Sequence, residues 1–188
     1  MLGADGAFSG DKTEDAITAA DGALERAQTM AKAGQDRAAL ANVKAAVRLY
    51  RQLADDDPGV YRPDLAMSLQ VESDMAAVSG KPDDALAAAR EAVSMFRSLT
   101  AEPGDDAALF GPYLGSALCV LAARLHEKGA ADEALEVVRE GIHLFDHSGA
   151  DDIRRHRIVL EAARRLRNEL SPDEHRLDEE FGALHESS

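Results

Sequence analysis

Several things are scarce in this chain, and each scarcity narrows what it can be. Cys119 is the single cysteine in 188 residues, so no disulfide can form within the chain, and the expected setting is a reducing, cytoplasmic one. Basic residues are few: 21 Lys and Arg stand against 35 Asp and Glu, for a formal net charge of -14. Nucleic-acid affinity comes from basic side chains neutralising phosphates, and anionic membrane surfaces attract the same residues, so neither is an expected partner. A basic or amphipathic protein or peptide is the natural counterpart of such a surface. Long apolar runs are also missing, since the longest, residues 117–123, is far too short for a bilayer. The opening MLGADGAFSG has neither a basic stretch nor an apolar one, so no export signal is expected. No segment alternates as a half-buried strand would, and no glycine-rich phosphate cradle or catalytic constellation is evident. The expectation is therefore a non-enzyme with no cofactor and no metal. Arginine outnumbers lysine 16 to 5 and alanine is abundant, a coding bias that points to a bacterial source.

What is present is a template written three times. Gly80, Ala85, Leu86, Ala89, Ala92, Val93 and Phe96 are matched 46 residues earlier by Gly34, Ala39, Leu40, Val43, Ala46, Val47 and Tyr50. They are matched again 49 residues later by Gly129, Ala134, Leu135, Val138, Gly141, Ile142 and Phe145. A unit that cannot bury its own apolar face must stack on its neighbours, so a repeat of this kind favours one helical array.

Apolar residues at spacings of three and four predict helices throughout. The first covers residues 13–33, with Ile17, Ala20, Leu24, Ala27, Met30 and Ala31 inward, and the second covers residues 36–54. Three acids in DDDPG would oppose a helix C-terminal dipole, which places residues 55–59 in a solvated loop. Pro63, Pro82 and Pro112 are expected to open the third, fourth and fifth helices, and Asp132 the sixth. A seventh is read over residues 151–170, and the capping box Ser171, Pro172, Glu174 starts a terminal cap carrying Leu177, Phe181 and Leu184. Residues 1–12 are a polar, glycine-rich lead expected to be disordered.

The spacing of Leu118, Leu121, Ala122, Leu125, Gly129, Ala134, Val138 and Gly141 resembles that of tetratricopeptide repeats, a likeness best over residues 118–145 and weaker over 69–96 and the first unit. The period is longer than the 34 usual in that family. Glu72 also stands where Leu121 stands in the next unit, at an expected core position. The resemblance implies an all-α, right-handed superhelical array of antiparallel helix pairs over residues 13–54, 63–100 and 112–147. A half repeat at 151–170 and a capping helix and tail at 171–188 would follow.

It further implies a groove lined by the first helix of each pair, receiving a peptide or partner helix. By position relative to the glycines, that wall comprises Asp21, Leu24, Gln28 and Lys32, then Met67, Gln70, Asp74 and Val78, then Ser116, Cys119, Ala123, His126 and Glu127. These residues either receive a partner or pack beneath the chain's own terminal helices. The set of lysines and asparagines with which some members of the family hold a peptide carboxylate is lacking from this wall.

Other clusters are weighed by their chemistry. Cys119 and His126 share one helix face but stand seven residues apart, about 10 Å along the axis, too far for a nucleophile and its base. The acids near residues 55 and 105 lack the spaced ligands of a calcium loop, and His143 and His147 lack further metal ligands beyond Asp146. Six arginines between Arg154 and Arg167 form a basic face in an acidic chain, able to dock on the acidic repeats of its own chain or of a second copy, to meet an acidic partner, or to face solvent. The function expected is a protein-interaction scaffold. The alternatives are a self-associating structural subunit and a small-ligand sensor or small helical enzyme.

Overall fold

The computed structural model describes residues 10–102 and 107–172. Within them the chain forms α1 (Gly10–Lys32), α2 (Asp36–Asp56), α3 (Pro58–Val78), α4 (Pro82–Ala101), α5 (Ala107–Glu127), α6 (Ala131–Asp146), α7 (Ala150–Arg155) and α8 (Arg157–Leu170). No strand occurs among the described residues. The fold is all-α, with consecutive helices packed on one another. The chain divides into two compact units, Met1–Ala101 and Glu102–Ser188. In the first, α2 packs on both α1 and α3, and α3 on α4; in the second, α8 packs on both members of the pair α5 and α6.

The three template glycines make the same turn. Gly34, Gly80 and Gly129 have φ of 70°, 71° and 77°, the left-handed region that costs glycine nothing. In each case the glycine N–H bonds the carbonyl three residues back, at 3.0, 3.0 and 2.9 Å. The next N–H reaches the carbonyl five residues back, Gln35 to Met30, Lys81 to Ala76 and Ala130 to Leu125, at 2.9 to 3.0 Å. This pair of bonds is a Schellman motif, which satisfies carbonyls that the helix end would otherwise leave open. One residue later a new helix begins, so the spacing of glycines in the sequence becomes a spacing of identical corners.

The apolar stripes land in the cores. Tyr50, Phe96 and Phe145 are all buried, the last two at 1% and 0% exposure. The small position of the template is buried in every unit, at Ala46, Ala92 and Gly141. In the second unit this position meets the first helix of the pair closely, since a Cβ on Gly141 would lie 2.8 Å from Cys119 Sγ and 3.0 Å from the Gly115 carbonyl oxygen. Glycine at both positions lets α5 and α6 close to that distance.

Five boundaries differ from the sequence reading, the first being α1, which begins at Gly10 and so takes in residues 10–12 of the lead expected to be disordered. Helix α2 continues through Asp55 and Asp56, because Leu53 and Ala54 in the same turn are buried, whereas an exposed charge opposing the dipole costs only about 0.3–1 kcal/mol. Asp57 alone leaves the helix, at φ -137° and ψ 84°, the extended backbone that a residue before proline prefers. Helix α3 therefore begins at Pro58 and contains Pro63, whose missing donor would have met the Gly59 carbonyl in an exposed first turn that water can reach. Pro112 sits at the same depth inside α5, and both helices start five residues before the proline expected to open them. The helix read over residues 151–170 breaks at His156. That ring packs 5.5 Å from Tyr113 edge-on and 5.6 Å from Phe145, so aromatic packing holds the break. The expected terminal cap beyond Pro172, with Leu177, Phe181 and Leu184, lies outside the described residues, as do residues 1–9 of the lead.

Candidate interaction groove

The first unit carries a groove between α1 and α3. Leu24, Ala27, Gln28 and Ala31 line one wall and Val71 and Met75 the other, with Glu25 at the rim, enclosing about 340 Å³. The walls follow from helical spacing. On α1, Ala16, Ala20, Ala23 and Ala27 turn into the core, which leaves Leu24, Gln28 and Ala31 on the flank beside it. On α3, Leu65, Leu69 and Ala76 face the core, and the opposite side carries Val60, Met67, Val71 and Val78, all exposed. Helix α3 is thus apolar on both sides, an arrangement found where one side meets something other than water.

At one end of the groove the chemistry changes. Tyr50 of α2 is buried and its hydroxyl donates to Asp21 of α1. Burial, and then that bond, push the Tyr50 phenol upward, and the Asp64 carboxylate of α3 adds to the rise. Asp64 is itself raised, first by burial and then by Asp21. Two carboxylates on different helices therefore act on one phenol, Asp21 by accepting its hydrogen bond and Asp64 by its charge alone.

Behind the groove lies a second polar cluster, lined by Lys44 and Arg51 of α2, Glu72 of α3, and Asp84 and Glu91 of α4. Lys44 Nζ is 2.8 Å from Asp84 and 3.8 Å from Glu72, and Arg51 is 2.6 Å from Glu91. The Glu72 side chain is 14% exposed, and burial raises its carboxyl above the ordinary range against the opposing pull of Lys44 and Arg51. The Lys44 ammonium is raised by its bond to Asp84. Glu72 at an apolar template position is accommodated by these cations, without rotation of the helix from its glycine register.

Of the residues named from the sequence, Leu24 and Gln28 come together in the groove. Met67 and Asp74 are exposed on α3, and Gln70 is half-buried with its Nε2 sequestered and unpartnered. The four second-unit positions lie elsewhere. Ser116 and Cys119 are buried, Cys119 within a cluster that includes Leu160 and Ala163 of α8. Ala123 and His126 are half-buried, and His126 Nε2 lies 3.5 Å from Glu169 of α8. The groove residues that sequence reasoning missed are Val71 and Met75 on α3, with Glu25, Ala27 and Ala31 on α1; the signal for Val71 was the apolar spacing on the side of α3 opposite its core face, whereas Met75 sits at the edge of the core stripe itself.

The remaining clusters are engaged. Burial pushes the Cys119 thiol up to about 12, leaving it protonated near neutrality. His147 Nδ1 lies 2.8 Å from the His143 carbonyl oxygen, and no group of three metal-binding side chains gathers among the described residues. The arginines of α7 and α8 pair with neighbouring acids: Arg154 with Asp151, Arg155 with Asp152 at 3.2 Å, Arg157 with Glu161 at 2.8 Å and Arg164 with Asp146 at 3.2 Å. Among the described residues one stretch, Leu109–Glu127 in α5, is long and apolar enough to cross a membrane, and 56% of it is buried inside the protein. Compared with known proteins, the chain matches no protein-family model and no curated protein.

Proposed function

We propose that this chain is a non-catalytic protein-interaction module, resembling tetratricopeptide repeats, that receives a peptide or partner helix in the groove between α1 and α3. The observation that carries the reading is the open apolar groove itself, about 340 Å³ between the first helices of two successive pairs. The tight glycine corners support antiparallel pairing within each pair, and with it a superhelical array whose first helices line one side. Preformed helices lower the ordering cost of binding, and buried apolar side chains supply most of the affinity. In this reading Leu24, Gln28, Val71 and Met75 contact the partner, with Met67 and Asp74 flanking. Ser116 and Cys119 serve packing under α8, with Ala123 and His126 beside it.

The test places a photo-crosslinking amino acid at Gln28, which is exposed at the groove, in the native host. The expected result is one recurrent crosslinked peptide, lost in Val71→Glu and unaffected by Arg139→Glu on α6. Labelling that ignores Val71→Glu would remove the groove from consideration. A second reading, self-association through the exposed α3 face, is favoured by Val60 and Val78, which lie outside the groove lining and are 55% and 59% exposed. Sedimentation decides it: a concentration-dependent dimer dispersed by Val60→Glu and Val78→Glu supports the second reading, and a monomer excludes it.

A further inference from the structure

We infer that the occupant of this groove is an amphipathic helix with a lysine or arginine seated between Asp21 and Asp64, and apolar side chains from its next two turns seated between Leu24 and Val71 and Met75. The inference rests on the groove reading and assigns its specificity.

The groove has direction. On α1, Asp21 stands one turn before Leu24, which is followed by Gln28 and Ala31; on α3, Asp64 stands two turns before Val71, which is followed by Met75. The carboxylates therefore mark one end and the apolar walls the other. The α1 wall from Leu24 to Ala31 runs roughly 10 Å at about 1.5 Å per residue, and Asp21, one turn before the lining begins, extends the strip to roughly 15 Å, close to three turns of a bound helix. A helix in a groove presents anchors at successive turns along one side, which fits a cation followed by two apolar residues.

The charge is uncompensated. Among the described residues no lysine, arginine or histidine pairs with Asp21 or Asp64, while Lys44, Arg51, Arg157 and Arg164 all have carboxylate partners. The hydrogen bond offered to Asp21 by Tyr50 comes from a neutral donor, which leaves the net charge of both carboxylates in place. Glu25, the sole ionisable residue in the groove lining, is acidic as well. A guanidinium or ammonium between the two carboxylates would gain charge-assisted bonds and remove the repulsion between them. An acidic or neutral helix would leave that repulsion in place, so the same feature selects and rejects.

Fluorescence anisotropy with a labelled alanine-rich helical peptide tests this. The probe carries one arginine with leucines one and two turns beyond it; its controls replace the arginine by glutamine or glutamate, or both leucines by alanine. The arginine peptide should bind at least about tenfold tighter than the glutamine peptide, and the glutamate peptide weakest. Asp64→Asn should erase most of that preference while leaving the glutamine peptide's affinity unchanged. Asp21→Asn should act alike, and because Asp21 also holds Tyr50, its helicity is checked by circular dichroism and Asp64→Asn decides if it is lost. Equal binding of the arginine and glutamine peptides, a preference surviving Asp64→Asn, or no binding of the arginine peptide would overturn the inference. Equal binding that Val71→Glu abolishes leaves the groove reading standing and removes only its charge assignment.

Discussion

Helices α3 and α5 occupy the same place in the template, 49 residues apart, and they treat polarity in opposite ways. Both helices bury an apolar stripe, Leu65, Leu69 and Ala76 in α3 and Leu114, Leu118 and Leu125 in α5, but beside it α5 buries Ala117, Leu121 and Ala122 where α3 has Ser68, Glu72 and Ser73. Ser68 and Ser73 are 1% and 0% exposed, with hydroxyls that have no hydrogen-bond partner. The outer positions reverse the pattern. Met67 and Val71 of α3 are exposed, whereas Ser116 of α5 is buried and Val120 half-buried. In the second unit α8 supplies the missing neighbour, through Leu160 and Ala163. One template thus gives a packed interior where a further helix of the chain arrives, and an apolar surface with a partly polar interior where none packs on it within the unit.

The largest effect expected of this comparison is on the aromatic position. Phe145→Ala and Phe96→Ala each remove a buried ring and should each lower stability by about 3–5 kcal/mol, read from urea unfolding. Near-native midpoints for both would mean that the two rings do not occupy equivalent cores. Gly141→Ala comes next. Its Cβ would meet Cys119 Sγ at 2.8 Å and the Gly115 carbonyl at 3.0 Å, so a loss of about 1–3 kcal/mol is expected. Adding Cys119→Ala removes the sulfur and should restore part of that loss. A tolerated Gly141→Ala would show that α5 and α6 can separate as easily as a pair built on alanine.

Much of this was legible in the sequence, and what was not has definite causes. The corners at Gly34, Gly80 and Gly129 and the stripes of α2, α4, α5 and α6 follow from residue types whose behaviour is local: glycine tolerates positive φ, and spacing sets the buried side. The starts of α3 and α5 were hidden because two prolines, Pro58 and Pro63, competed to open one helix, and an exposed first turn tolerates the second. The break at His156 depends on Tyr113 and Phe145, distant in sequence. The groove was half visible. Leu24 and Gln28 could be counted from a glycine, but Val71 required knowing which of two apolar sides of α3 is left over after packing, and Met75 which edge of the core stripe stays open.

A smaller effect should come from the buried hydroxyls. Ser73→Ala replaces an unpartnered polar atom by a methyl-sized group already present at the matching Ala122, and should stabilise the first unit by about 1 kcal/mol. The reverse change, Ala122→Ser, should cost a similar amount. If Ser73→Ala destabilises instead, the hydroxyl has a partner and the polar interior of α3 is satisfied.

The smallest effect concerns Glu72, and its sign follows from linkage. Burial raises its folded carboxyl above the ordinary 4.5, so between those values the folded state binds more protons than the unfolded one. Stability from this group is therefore greatest when it is protonated and falls as pH rises through the folded value. Lys44 and Arg51 oppose the rise and keep the loss small. Glu72→Gln removes the ionisation, so it should unfold at a higher urea midpoint than the parent at pH 7.5, with the gap closing as pH falls towards 4. Glu72→Leu should do the same while matching Leu121, provided Lys44 keeps Asp84 at 2.8 Å as its partner. A gap that widens on acidification would mean that Lys44 and Arg51 outweigh burial, making the polar interior of α3 a net stabilising network.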